Sequence, residues 1–224
     1  MHKSNFIIFL AEMTGTFGLL VAATGSIVYD GMFGGTLGIG FISAMHFVGL
    51  SVLIFLFGKY SMAHFNPAVT VAFFVAKYIT AKQILVYLTA QTIGAFLGML
   101  FVKYVFGNFA NLGLNSPNHQ YPVELFFGIE ILVTIFLMGS IFMAINIKGL
   151  QTIFISMIIA GTVALDVFFF GSISGASMNP IRSLAPSLFT GIVDDLWLYW
   201  TAPFIGSIIV AFVFNGIKKI HQKP

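Results

Sequence analysis

Cysteine is absent from this chain, which excludes disulfides, thiol nucleophiles and thiolate metal ligands while saying nothing about compartment. Charge is nearly as scarce. Only 8% of the 224 residues are Asp, Glu, Lys or Arg, against about 25% in soluble globular domains, and 58% are hydrophobic. A net charge of +3, carried by lysines that flank apolar stretches, is no footprint for nucleic acid. No Gly-x-Ser-x-Gly motif and no histidine pair at metal-ligand spacing occurs. The expectation is a protein that is not an enzyme, with no catalytic residue, metal or cofactor. Arginine occurs once, at Arg182. Its guanidinium is always charged and costly to bury, so it is expected to face water at its membrane depth.

What the chain has in abundance is apolar sequence. Charge-poor stretches lie near 6–28, 36–58, 83–106, 123–146, 152–170 and 197–217. Each is long enough to cross a hydrocarbon core of roughly 30 Å. They predict an all-α integral multi-pass protein with the lipid bilayer around it. The first stretch lacks the short core and cleavage site of a signal peptide and is expected to be retained. In a six-span topology Lys3, Lys59, Lys77, Lys82, Lys148, Lys218, Lys219 and Lys223 fall on one side with both termini. Asp30, Glu124, Asp194 and Asp195 fall on the other, with Lys103 as the exception. The positive-inside bias places both termini in the cytoplasm, and the expected location is the cell (plasma or inner) membrane. Trp197, Tyr199 and Trp200 read as an interfacial anchor.

The chain also matches itself. Tyr87-Leu-Thr-Ala-Gln-Thr-Ile-Gly94 aligns with Tyr199-Trp-Thr-Ala-Pro-Phe-Ile-Gly206 at an offset of 112. Ala63-His-Phe-Asn-Pro67 aligns with Ala176-Ser-Met-Asn-Pro180 at 113, and Glu12 with Glu130 at 118. The expectation is one domain over 1–224, with repeat one near 6–106 and repeat two near 123–217. Each repeat holds three spans, an odd number, so the second must enter from the opposite face. The repeats are then inverted, and their equivalent segments can meet at the midplane.

Asn66-Pro67-Ala68 and Asn179-Pro180-Ile181 are the segments that would meet. Asn is a favoured N-cap and Pro a favoured first helical residue, so each tripeptide starts a helix. The first has about a dozen residues before Lys77, roughly 18 Å, which is half a membrane. The second reaches Thr190-Gly191 with similar length, with Pro186 as a candidate kink or early end. Neither can span, and irregular backbone at that depth survives only beside protein or a hydrated path. Each helix N-terminus carries about half a positive charge, so two facing ends repel cations, hydronium included. A water accepting from both Asn amides would point its hydrogens outward both ways, breaking a proton wire while letting neutral molecules pass.

At these residues the chain resembles the aquaporin (major intrinsic protein) family over nearly its full length. The resemblance rests on Ala11-Glu-Met-Thr-Gly-Thr-Phe17, His64-Phe-Asn-Pro-Ala-Val-Thr70 and Ser174-Gly-Ala-Ser-Met-Asn-Pro-Ile-Arg-Ser183. It implies six spans, two re-entrant half-helices, a homotetramer with one pore per subunit, and passage of water or small neutral solutes. Family spacing carries four filter positions onto His46, Val167, Ala176 and Arg182. That set is most similar to the plant tonoplast subgroup, associated with water and ammonia. Glu12 and Glu130 match buried carboxylates that bond loop backbone in the family.

Several readings stay open on the sequence. Aligning Leu37–Phe41 and Gly49-Leu50 with bacterial water channels puts Val48, not His46, at the filter. Ile181 stands where the family has Ala, and its extra volume is either absorbed by neighbours or narrows the midplane. Asp166 is either a buried partner for a nearby donor, an exposed helix-end residue, or a group orienting His46 or Arg182. His64 and His119 are candidate mouth or gate residues, with a structural hydrogen bond and a solvated loop as their plainer readings. A glycerol or urea facilitator and an ion-coupled transporter are the competing functions; Ser183 after the arginine and the lack of a filter Trp count against the first, and Asp166 is a poor coupling site for the second.

Overall fold

The computed structural model describes residues 4–221. Lys3 and Lys223, which entered the charge count above, lie outside the described residues. Among the described residues, six helical segments are long and apolar enough to cross a membrane. In chain order the elements are α1 (Asn5–Met32), α2 (Gly38–Ser61), α3 (Pro67–Val75), α4 (Ala81–Phe106), the short turn α5 (Ala110–Gly113), α6 (Val123–Asn146), α7 (Thr152–Ser174), α8 (Pro180–Thr190), α9 (Leu196–Tyr199) and α10 (Ala202–His221). No strand occurs among the described residues. Helices α9 and α10 together form the sixth span.

Local chemistry sets the ends. Ser4 caps α1 through Phe6 N–H, and Thr80 with Gln83 forms a reciprocal capping box on α4. Asp30, near the end of α1, accepts from Leu37 N at 2.8 Å and Gly38 N at 3.0 Å. It thereby satisfies donors at the start of α2 and ties the first two spans together. Lys103, the lone lysine on the acidic side, lies 5.8 Å from the Phe189 ring of α8.

Both half-helices form. Helix α3 has nine residues, shorter than the expected dozen, because the chain leaves it at Ala76 and Lys77 turns to φ 63°. Asn215 of α10 covers its end by donating to the Val75 carbonyl at 2.9 Å. Helix α8 runs eleven residues straight through Pro186 to a left-handed Gly191 cap, so the proline neither ends nor shortens it. The missing Pro186 N–H removes only the bond that would return to the Arg182 carbonyl.

Glycines set how closely the spans approach. A Cβ on Gly94 would lie 2.2 Å from the Met13 carbonyl oxygen of α1, and one on Gly206 would lie 2.6 Å from that of Ile131 in α6. Gly94 and Gly206 are repeat equivalents, as are Met13 and Ile131 at offset 118, so the same backbone contact is built twice. Backbone cannot yield as a side chain can, and apolar attraction between helices is weak in lipid. Gly94→Val is therefore expected to abolish folded protein, read as loss of the monodisperse peak in detergent gel filtration, whereas exposed Gly216→Val should leave that peak intact.

Candidate functional site

Two buried carboxylates organise the loops ahead of the half-helices. Glu12 accepts through Oε1 from Ser61 Oγ (2.6 Å) and His64 N (2.9 Å), and through Oε2 from Phe65 N and Gln91 Nε2 (both 2.8 Å). Glu130 accepts through Oε1 from Ser174 Oγ (2.9 Å) and Ser177 N (3.0 Å), and through Oε2 from Met178 N (3.1 Å). The backbone there turns left-handed, at Met62, Ala63 and Phe65 in one loop and at Ala176 and Met178 in the other. Such turns leave N–H groups without regular partners, and a carboxylate supplies acceptors for them. Tyr87 hydroxyl donates to the Ser61 carbonyl at 2.5 Å, and Tyr199 hydroxyl to the Ser174 carbonyl at 2.6 Å. Ser61, Phe65 and Asn66 thus correspond to Ser174, Met178 and Asn179, all at offset 113.

The loops deliver the two asparagines to one place. Asn66 Oδ1 accepts from Ala68 N at 2.9 Å while its Nδ2 donates to the Met178 carbonyl at 2.8 Å. Asn179 Oδ1 accepts from Ile181 N and Arg182 N at 3.1 and 3.4 Å while its Nδ2 donates to the Phe65 carbonyl at 2.9 Å. Each amide therefore caps its own helix and clasps the opposite loop, which leaves one N–H per asparagine.

A cavity of about 60 Å³ passes both asparagines, with Leu19, Leu50, Ile54, Val69, Leu137, Ile141, Ile159 and Val163 among its apolar walls. That volume holds a short file of waters. His46, His64, Ala176 and Arg182 also line it. It shares Ile54, Ala63, Val69, Ile141 and Ile159 with a wider cavity of about 400 Å³, bounded by Lys59, Met62, Tyr78 and Asn146 on the side of the chain termini.

His46 is 5% exposed, whereas Val48 is 53% exposed and lines neither cavity. His46 Nδ1 lies 2.8 Å from the Ile42 carbonyl. A carbonyl only accepts, so Nδ1 carries the hydrogen. Val167 is buried in α7 but is not among the residues lining the narrow cavity. Arg182 is 5% exposed, and its Nη1 is buried with no hydrogen-bond acceptor. Pro67 and Ala68 are buried in the first turn of α3, and Pro180 in that of α8.

The open positions resolve unevenly. Ile181 is absorbed: it packs with Leu20, Ala95, Met99, Leu112 and Ala185, away from the cavity walls. Asp166 is buried, bonds neither His46 nor Arg182, and leaves Oδ2 without a partner, which departs from every reading of it above. His64 is buried, with Nδ1 3.1 Å from Thr70 Oγ1 and its ring stacked on Tyr87 at 4.3 Å. His119 is exposed, lies 3.1 Å from Asp195 and lines neither cavity. Sequence reasoning passed over Gln91 and Asn115. Gln91 stood inside the repeat match and could have been found there. Asn115 has no repeat counterpart to flag it.

Six apolar spans and two half-helices clasped at their caps beside a narrow cavity are the architecture of an inverted-repeat membrane channel. The major intrinsic protein family model matches residues 2–214, and the chain belongs to that family of channels. It is 34% identical to Aquaporin NIP3-1 of Arabidopsis thaliana over 219 residues, covering 95% of this chain and 68% of that protein. It is 32% identical to Nodulin-26 of Glycine max over 216 residues, covering 96% and 79%. Among solved structures it is similar to the aquaglyceroporin from Plasmodium falciparum, with a TM-score of 0.87 at 20% identity over 96% of this chain and 97% of that one, a likeness of fold.

Proposed function

We propose that the chain is a passive channel for water that also passes ammonia and excludes protons and ions. The observation that carries this reading is the reciprocal clasp of Asn66 on the Met178 carbonyl and Asn179 on the Phe65 carbonyl, at the wall of the narrow cavity. One free N–H on each asparagine orients a passing oxygen, and the two helix ends and Arg182 repel cations. His46, Val167, Ala176 and Arg182 form the outer filter in this reading. With Nδ1–H given to Ile42, the neutral His46 ring keeps Nε2 as an acceptor for an N–H or O–H of the solute. Glu12 and Glu130 are structural, and His64 is a hydrogen-bonding wall residue rather than a gate. The lysine bias supports cytoplasmic termini in a plasma or inner membrane, and we extend the proposal to a homotetramer of single-channel domains.

The test is stopped-flow light scattering on proteoliposomes, with ammonia entry read by internal pH. Both rates should exceed those of empty vesicles. Val167→His, which crowds the filter with a second imidazole, should lower the ammonia-to-water ratio about tenfold, the effect of roughly 1.4 kcal/mol of added barrier. An unchanged ratio removes Val167 from the filter. Fast glycerol or urea entry in the native protein would make it a broader facilitator, and dependence on an ion gradient would make it a transporter.

A further inference from the structure

The second half-helix lacks a support that the first one has. In repeat one, Gln91 Nε2 reaches from α4 to Thr70 Oγ1 at 3.0 Å, bracing the first turns of α3. The counterpart of Thr70 at offset 113 is Ser183, next to Arg182 in α8. The counterpart of Gln91 at offset 112 is Pro203, which has no side-chain amide to offer. Ser183 is nevertheless held. Asn115, from the loop between α4 and α6, accepts from Ser183 Oγ through Oδ1 at 3.0 Å and donates through Nδ2 to the Gly175 carbonyl at 2.8 Å.

These two contacts bracket the segment that contains Ala176 and Arg182. Asn115 Oδ1 can only accept, so Ser183 Oγ donates to it; Ser177 Oγ lies 2.6 Å from Ser183 Oγ and also donates to the Asn179 carbonyl at 3.0 Å. Asn115 is itself buried and closely fitted: a Cβ on Gly175 would come within 3.2 Å of its Nδ2. The loop is pinned on either side. A Cβ on Gly113 of α5 would meet the Thr24 carbonyl at 2.8 Å, and Asn118 N donates to the Ile173 carbonyl at 2.9 Å.

We infer that Asn115 is a positioning residue for the pore constriction: it supplies from an extramembrane loop the amide that Pro203 cannot, and so fixes the Arg182 backbone relative to Ala176. The inference rests on the channel reading above. It makes the two ends of the pore unlike, one braced by a membrane-spanning helix and the other by a connecting loop.

The test uses the full chain in proteoliposomes and reads the urea-to-water permeability ratio together with amide hydrogen exchange over residues 173–183. Asn115→Leu, which loses both bonds at similar volume, should raise the ratio about tenfold and speed exchange in that segment. Asn115→Asp keeps an acceptor for Ser183 and loses the donor to Gly175, so its ratio should fall between the two. A purely structural role would lower both permeabilities together and leave the ratio alone; that result, or unchanged exchange in folded Asn115→Leu, overturns the inference. Should Asn115→Leu not fold, Ser183→Ala deletes one hydroxyl and must raise the ratio several-fold; an unchanged ratio there is equally fatal. If the native protein itself conducts no water, the channel reading falls, and the exchange comparison alone decides the role of Asn115.

Discussion

Glu12→Ala is expected to yield no folded protein. The carboxylate accepts four donors, from Ser61, His64, Phe65 and Gln91, at a fully buried site where bulk water cannot replace it. Two are backbone N–H groups in a left-handed loop that cannot find a second acceptor without unwinding. Each orphaned donor costs about 1–3 kcal/mol. Two alone bring the total to roughly 2–6 kcal/mol, a large part of the 5–15 kcal/mol that holds a typical domain together. Glu130→Ala orphans three donors, again two of them backbone, and should fail in the same way. Glu12→Gln separates shape from charge. Its carbonyl oxygen still accepts, but its NH2 group faces donors rather than acceptors, so thermal unfolding in detergent should fall clearly while some folded protein survives. If Glu12→Ala purifies with native thermal stability, the bonds to the loop do not hold the half-helix in place.

The six spans were legible because the membrane imposes a local rule: about twenty residues with almost no charge. Most of the observed helices run a few residues past the expected stretches, since polar end contacts such as the Asp30 cap and the Thr80–Gln83 box sit outside the apolar core. The repeat was legible as letters, and the structure turns those letters into bonds. Tyr87 and Tyr199 matched first as a shared pattern and prove to hold the Ser61 and Ser174 carbonyls. What stayed hidden depends on contacts between distant positions. Whether Ile181 would narrow the pore turned on Leu20, Met99 and Leu112, none of which its neighbours in sequence reveal. Asn115 lies beyond a left-handed turn that no periodicity marks, and it acts 60 residues away on Gly175. Helix α3 stopped early because Lys77 takes a positive φ, a choice that hydropathy does not record.

Arg182→Val is expected to make vesicles leak protons and cations while water flow stays fast. The positive field in the narrow cavity has two sources, the paired half-helix N-termini and the guanidinium, each worth about one unit of charge. Removing Arg182 takes away one source and leaves the other. For a cation passing within about 8 Å, a unit charge at an effective dielectric near 20 contributes roughly 2 kcal/mol, so the leak should rise about thirtyfold. Water conduction should persist because Asn66 and Asn179 keep their helix caps and their clasp on the opposite loops. Proton flux under a clamped potassium diffusion potential measures the leak, and osmotic shrinkage of the same vesicles measures water. Arg182→Lys sharpens the result: it keeps a charge at the site but not the planar guanidinium, so it should restore most of the barrier to cations. A leak that rises equally in both variants would assign the barrier to guanidinium geometry rather than charge, and no rise in either would leave the helix ends as its sole source.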